Sequence, residues 1–305
     1  MRFAEYAHKL GCRSKSLMES ALILSRPGIL ALVALAGFSG MVMAAGRLPG
    51  VRVSLMTLLV LSMAAAGSAM LNGVLDYPLD IRMVRLQARV EALVHLGGKQ
   101  VVALASCLIL AAITLALWHL NALTAVLLLA AVLIYVVPYT LWLKRRSPFA
   151  AVAGGIPGAL PVLVGYAAVA DTIRPSVLIL FGIVMLWQPP HFWILALKHR
   201  EDYRNSGFAV LPAAMGERPA KVFIFFFAAT LLPASLTLGL VAAFSPWYHS
   251  LAAVSAVLFL AACYFQVIRR PLFGQAFNSS IWYISVLFVA IITEICLVRI
   301  CTVSA

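Results

Sequence analysis

Long apolar stretches alternate with short polar ones along almost the whole chain, and each apolar stretch has the length a helix needs to cross a lipid bilayer. Such runs fall at about 28–46, 53–71, 100–118, 123–143, 149–170, 176–197, 222–243, 247–268 and 278–298. The pattern predicts nine transmembrane helices in an all-α, polytopic membrane protein. Only the ninth run holds a formal charge, Glu294, near its end. On this reading residues 1–27 are a cytoplasmic N-terminal segment and 28–300 a single transmembrane domain. Its long polar loops lie at about 72–99 and 198–221.

Composition sharpens the orientation more than the class. Apolar residues make up 64% of the chain and charged ones 11%, against roughly a quarter charged in soluble domains. Nineteen of the 23 lysines and arginines fall in the N-terminal segment and in the loops after even-numbered runs. The positive-inside bias therefore places the N-terminus and both long loops inside, and the C-terminus outside. The net charge of +13 reflects this topology, with attraction to anionic lipid, and makes no case for nucleic acid. Glu5 and Glu19 interrupt the first 25 residues, which lack the apolar core and cleavage site of a signal peptide. The five cysteines form no CxxC pair, so neither a metal cluster nor a disulfide framework is expected.

The first long loop opens with the densest polar chemistry in the chain. Asn72, Asp76 and Asp80 are spaced four apart, which puts them on one face of a continuing helix. Two carboxylates and an amide suit Mg²⁺, which leaves its other positions to water and phosphate oxygens. Arg82, Arg85 and Arg89 follow, with forked donors that match phosphate. Pro78 complicates the pattern: it lacks an N–H and clashes with the carbonyl four residues back, so a kink or helix end is expected between the aspartates. Two readings remain open, a diphosphate site or a solvated basic loop whose aspartates neutralise arginines.

Three further groups bear on the choice. Tyr139, Trp142 and Lys144-Arg145-Arg146 close the fourth run, either as an interfacial anchor or as a second basic group beside Asp76. Gly154-Gly155, Pro157 and Pro161 predict a bent fifth helix with close neighbours. Trp187-Gln188-Pro189-Pro190-His191-Phe192 predicts a broken sixth helix beside a cavity. The second loop, from Lys198 through Asp202, again mixes carboxylates with basic residues. His95 reads as a solvated loop residue.

Taken together these motifs resemble the UbiA superfamily of intramembrane prenyltransferases, and most closely its heme-farnesylating branch. The likeness rests on Asn72-x3-Asp76-x3-Asp80, on Met83-x-Arg85-x3-Arg89, on Tyr139 to Ser147, on Trp187-Gln188-x-Pro190-His191-Phe192, and on Asp202-Tyr203 through Leu211-Pro212. It departs from that branch at Pro78, Leu86 and Val90, where the branch usually carries Asp, Thr and Pro; the first of these weakens the metal site. The resemblance implies a nine-helix UbiA-type bundle in a bacterial inner membrane, with its active site towards the cytoplasm. It implies farnesyl transfer from farnesyl diphosphate to a vinyl group of protoheme (heme B), which is a substrate rather than a prosthetic group. Mg²⁺ would be held by Asn72, Asp76, Asp80 and Asp202, and the diphosphate by Arg85, Arg89, Lys144, Lys198 and Tyr139. Trp187, Gln188, His191 and Phe192 would face the heme, with His191 either an axial ligand or a proton-handling group. A heme A synthase or terminal oxidase would lie downstream. Two alternatives stand beside this: a UbiA-type enzyme with an aromatic quinone-precursor acceptor, and a degenerate membrane assembly factor or transporter.

Overall fold

The computed structural model describes residues 16–298. Every regular element among them is helical. A short helix α1 (Leu17–Ser25) precedes the spans. The described residues contain nine helices long and apolar enough to cross a membrane: α2 (Pro27–Ala45), α3 (Val51–Asp80), α5 (Gly98–His119), α6 (Ala122–Arg146), α7 (Ala150–Ala170), α8 (Pro175–Lys198), α11 (Glu217–Val241), α12 (Pro246–Arg269) and α13 (Phe273–Leu297). All nine runs of the sequence reading are present. Between them lie α4 (Gln87–Leu96), α9 (Arg200–Ser206) and α10 (Leu211–Ala214).

The main departures from the sequence reading concern prolines and loops. Helix α3 runs through Pro78 and stops only at Asp80. Because Pro78 sits in the last turn, the chain absorbs it by tightening: Arg82 N–H donates to Leu79 O at 3.1 Å and Met83 N–H to Asp80 O at 3.0 Å. Likewise α8 is helical through Pro189 and Pro190. These residues remove the donors for the carbonyls of Met185 and Leu186, yet tight packing holds the helix. A Cβ on Gly155 would come within 2.9 Å of Met185 O, so the glycine lets α7 cover that carbonyl. The long polar loops are also largely helical, as α4 in the first and α9 and α10 in the second. His95 is exposed, as expected, but lies on helix α4 rather than in a loop, and its Nδ1 is 3.0 Å from Ser20 Oγ, tying α1 to α4. Cys12 and Cys301 lie outside the described residues, and Cys107, Cys263 and Cys296 are free thiols.

Packing depends on small residues. Helix α2 lies against α7 through Gly37 and Gly40 on one side and Gly165 on the other; a Cβ on Gly165 would be 2.7 Å from the Gly37 carbonyl carbon. Helices α3 and α5 meet similarly at Gly67, where a Cβ would be 2.8 Å from Ala105 O. Without side chains in the seam, backbones approach closely and dispersion contacts replace the hydrophobic drive that lipid cannot supply.

At the end of the bundle away from the aspartates, Glu294 is buried and takes the backbone N–H of Ser245 at 2.6 Å and its hydroxyl at 2.7 Å. This clamps the N-cap of α12 to the end of α13. Glu294→Ala is expected to cost about 1.5–3 kcal/mol, the range for hydrogen bonds to a charged group, read as a lower thermal midpoint in detergent.

Candidate active site

The C-terminal end of α3 carries Asn72, Asp76 and Asp80 on one face, and all three are buried. The four-residue spacing aligns them and the surrounding helices seal them. Asn72 is the hub. Its Nδ2 donates to Asp76 Oδ2 at 2.7 Å and to Thr140 Oγ1 at 3.2 Å, while its Oδ1 accepts from Arg26 Nη2 at 3.0 Å and Arg89 Nη2 at 3.2 Å. Lys144 Nζ lies 2.6 Å from Asp76 Oδ2 and 4.4 Å from the centre of the Phe208 ring. Arg89 Nη1 lies 3.2 Å from Asp80 Oδ2, and Arg145 Nη2 lies 4.0 Å from Asp76 Oδ1. Two carboxylates and the Asn72 amide thus face four cations, from the α1–α2 junction, α4 and α6.

The basic arm of α6 reaches this cluster because the helix widens. Residues Tyr135–Leu143 form π-helical turns around Pro138, where the missing proline N–H interrupts the regular ladder. Thr140 Oγ donates to Tyr135 O at 2.8 Å and so presents its lone pair to Asn72. Tyr139 stacks on Tyr135, with ring centres 5.7 Å apart.

Asp202 ties the second polar loop to the first. Its two oxygens accept from the backbone N–H groups of Val84 and Arg85, both at 3.1 Å, and this fixes the turn that carries Arg85. Arg85 Nη2 donates to Tyr203 OH at 2.7 Å, with the guanidinium 5.0 Å from that ring's centre. Burial raises the Tyr203 pKa, so its hydroxyl stays protonated.

Among the described residues no three carboxylate, imidazole or thiol side chains gather closely enough to hold a metal ion. The expected set of Asn72, Asp76, Asp80 and Asp202 therefore does not form a protein cage. However, Asp76 Oδ1 is sealed from solvent and accepts no hydrogen bond, its ion-pair partner Arg145 being 4.0 Å away, and Asp80 Oδ2, equally sealed, is held by the Arg89 ion pair at 3.2 Å. An oxygen left so calls for a ligand, and two buried carboxylates one turn apart fit a hard divalent cation that draws its remaining donors from water and phosphate.

A second cluster lies on α8. The His191 ring is sandwiched between Trp187 and Phe277, each 4.5 Å away centre to centre and nearly parallel. Trp187 Nε1 donates to Ser280 O at 2.7 Å, and Gln188 Nε2 donates to Gly155 O at 3.0 Å. Ser280 Oγ lies 2.6 Å from Phe277 O, to which it donates, and 2.7 Å from His191 Nδ1. In the tautomer with the proton on Nδ1 all three groups are satisfied and Nε2 keeps a lone pair. Phe192 turns towards Tyr203, 6.1 Å centre to centre. Lys198 joins neither Asp76 nor Asp80; its Nζ lies 6.0 Å from the Phe277 ring centre.

Sequence reading missed Arg26 and Thr140. Arg26 is 46 positions from Asn72 and adopts a left-handed conformation (φ 57°) between α1 and α2. A helix-entry Arg-Pro gave no sign that its side chain turns inward.

Nine packed spans with a sealed carboxylate and guanidinium cluster at one end define a polytopic intramembrane enzyme that manages anionic groups beside an apolar interior. The chain belongs to the UbiA prenyltransferase family, whose model matches residues 30–293. It is 47% identical over 256 residues to a protoheme IX farnesyltransferase of Geotalea uraniireducens (strain Rf4), spanning 84% of this chain and 99% of that one. It is 33% identical over 281 residues to the protoheme IX farnesyltransferase of Aquifex aeolicus (strain VF5), spanning 92% and 96%. A UbiA homolog from Archaeoglobus fulgidus, solved bound to DMAPP and Mg²⁺, shares the fold with a TM-score of 0.68 at 13% identity, over 89% of this chain and 99% of that one.

Proposed function

We propose that the protein transfers the farnesyl group of farnesyl diphosphate to a vinyl group of protoheme IX, with addition of water, giving heme O and diphosphate. The observation that carries the reading is the buried pair of carboxylates, Asp76 and Asp80, held against Lys144, Arg145 and Arg89, with Arg26 tied in through Asn72. The relatives' names support the acceptor.

In this reading the four cations hold the diphosphate oxygens, joined by Arg85, which Asp202 and Tyr203 position. Their charge stabilises the leaving group as the allylic C–O bond breaks and its electron pair departs with the diphosphate. Asp76 and Asp80 would hold Mg²⁺, which would supply Lewis-acid neutralisation of that leaving group. Aromatic faces at Tyr139, Trp187 and Phe192 offer quadrupole stabilisation to the allylic cation. The vinyl π pair forms the new carbon–carbon bond, water adds at the vinyl carbon attached to the porphyrin ring, and a proton is released. His191 offers its Nε2 lone pair to the heme iron, which fixes the acceptor. The weight of basic residues at the α3 C-terminal end supports a cytoplasm-facing site in a bacterial inner membrane. A heme A synthase or terminal oxidase would consume the product.

The test is mass analysis of heme extracted from membranes expressing the protein with supplied farnesyl diphosphate. Wild type is expected to yield the hydroxyethylfarnesyl heme. His191→Ala is expected to raise the KM for protoheme at least about tenfold, equal to about 1.4 kcal/mol, and to shift the absorption of bound heme. If wild type returns only unmodified heme despite verified expression, the proposal fails.

A further inference from the structure

A porphyrin with two propionates is apolar over its face and anionic along one edge, so a membrane site for it needs an apolar wall that ends in a cation. One such arrangement lies outside the aspartate cluster. His191 and Lys198 are seven residues apart on α8, which places them on one face, two turns and about 10 Å apart along the axis. Phe277 of α13 bridges them, 4.5 Å from the His191 ring and 6.0 Å from Lys198 Nζ. Gly274 at the start of α13 lies beside the ammonium, a Cβ there falling 3.8 Å from Nζ, in ordinary contact.

Lys198 also borders a cavity of about 490 Å³ between the end of α8, α9 and the starts of α11 and α13. The other charges around that cavity are committed. Arg200 pairs with Glu201 at 3.4 Å and with Glu217 at 3.3 Å, and Glu217 also takes Lys221 at 2.8 Å. Asp202 accepts two backbone N–H groups. Among the described residues Lys198 makes no ion pair. Asp76 is matched by Lys144 and Asp80 by Arg89 without it.

We infer that Lys198 receives the propionate edge of the porphyrin and so selects a carboxylate-bearing acceptor, rather than holding the diphosphate of the prenyl donor. The inference rests on the heme reading above. A compact ammonium on a flexible stem suits carboxylates that stay partly hydrated at the rim of such a site.

Steady-state kinetics on purified wild type, Lys198→Met and Lys198→Arg tests this, varying protoheme IX, its dimethyl ester and farnesyl diphosphate separately. Lys198→Met is expected to raise the KM for protoheme about tenfold and to leave the KM for farnesyl diphosphate within about twofold. Lys198→Arg should recover most of the loss. Wild type acting on the dimethyl ester should match Lys198→Met acting on protoheme. A raised KM for farnesyl diphosphate with an unchanged KM for protoheme returns Lys198 to the donor site and overturns the inference. So does a wild-type enzyme that uses ester and diacid equally well, a result that needs no folded variant. Wild type that farnesylates no porphyrin overturns the underlying reading instead.

Discussion

Asp76→Asn is expected to lower formation of the farnesylated product by about 10²–10³-fold, the range for removing one preorganised electrostatic group from a reacting centre. Asp76 is fully buried, Lys144 Nζ approaches one of its oxygens at 2.6 Å, and the other has no hydrogen bond. The amide keeps the size of the side chain and an acceptor for Lys144, but loses the charge needed to hold a divalent cation. Asparagine is preferred to alanine because truncation leaves Lys144 buried without its counter-ion, a change worth about 3–5 kcal/mol that would confuse folding with function. The measurement is product per folded enzyme by mass spectrometry of extracted heme, with the Mg²⁺ dependence recorded alongside. Product at the wild-type rate and unchanged Mg²⁺ dependence would remove Asp76 from the site.

Gly165→Val is expected to prevent stable folding. The Cβ would fall 2.7 Å from the carbonyl carbon and 2.9 Å from the Cα of Gly37. These are backbone atoms of a facing helix, so no side chain can rotate away. Overpacking by even one methylene costs about 1–3 kcal/mol, and a whole isopropyl group held against backbone forces α2 from α7. Gly28→Val on α2 is the control, since a Cβ there meets nothing within 4 Å. The readout is the fraction extracted as a monodisperse species in mild detergent. A wild-type fraction for Gly165→Val would mean that the seam is not closed in the membrane.

Some of this was legible in the sequence for simple reasons. Nine spans could be read because bilayer thickness dictates one length for every apolar run. The Asn72, Asp76 and Asp80 face could be read because helical spacing is local and survives Pro78. What failed was inference from breakers to breaks. Pro189 and Pro190 weaken a helix by amounts that packing against Gly155 and Ser280 outweighs, and that packing is contributed by α7 and α13. Arg26 and Thr140 were invisible because their roles depend on neighbours 46 and 68 positions away. That Asp202 also ties down the turn at Val84 and Arg85 could not be read, because those backbone donors leave no mark in the sequence.

The length of α3 has a consequence for where bond breaking takes place. Its 30 residues extend about 45 Å, whereas the hydrocarbon layer is about 30 Å thick. The apolar part runs from Val53 to Leu71, about 27 Å by the same rise. Asn72 is therefore the first residue past an apolar length that matches the hydrocarbon layer, and Asp76 and Asp80 follow one and two turns beyond it, inside the protein. A prenyl diphosphate can keep its phosphates among hydrated lipid heads while its chain lies in the hydrocarbon, so the lipid never has to admit the donor's charge. On the proposed reading, one helix longer than the hydrocarbon layer sets the depth of the reaction.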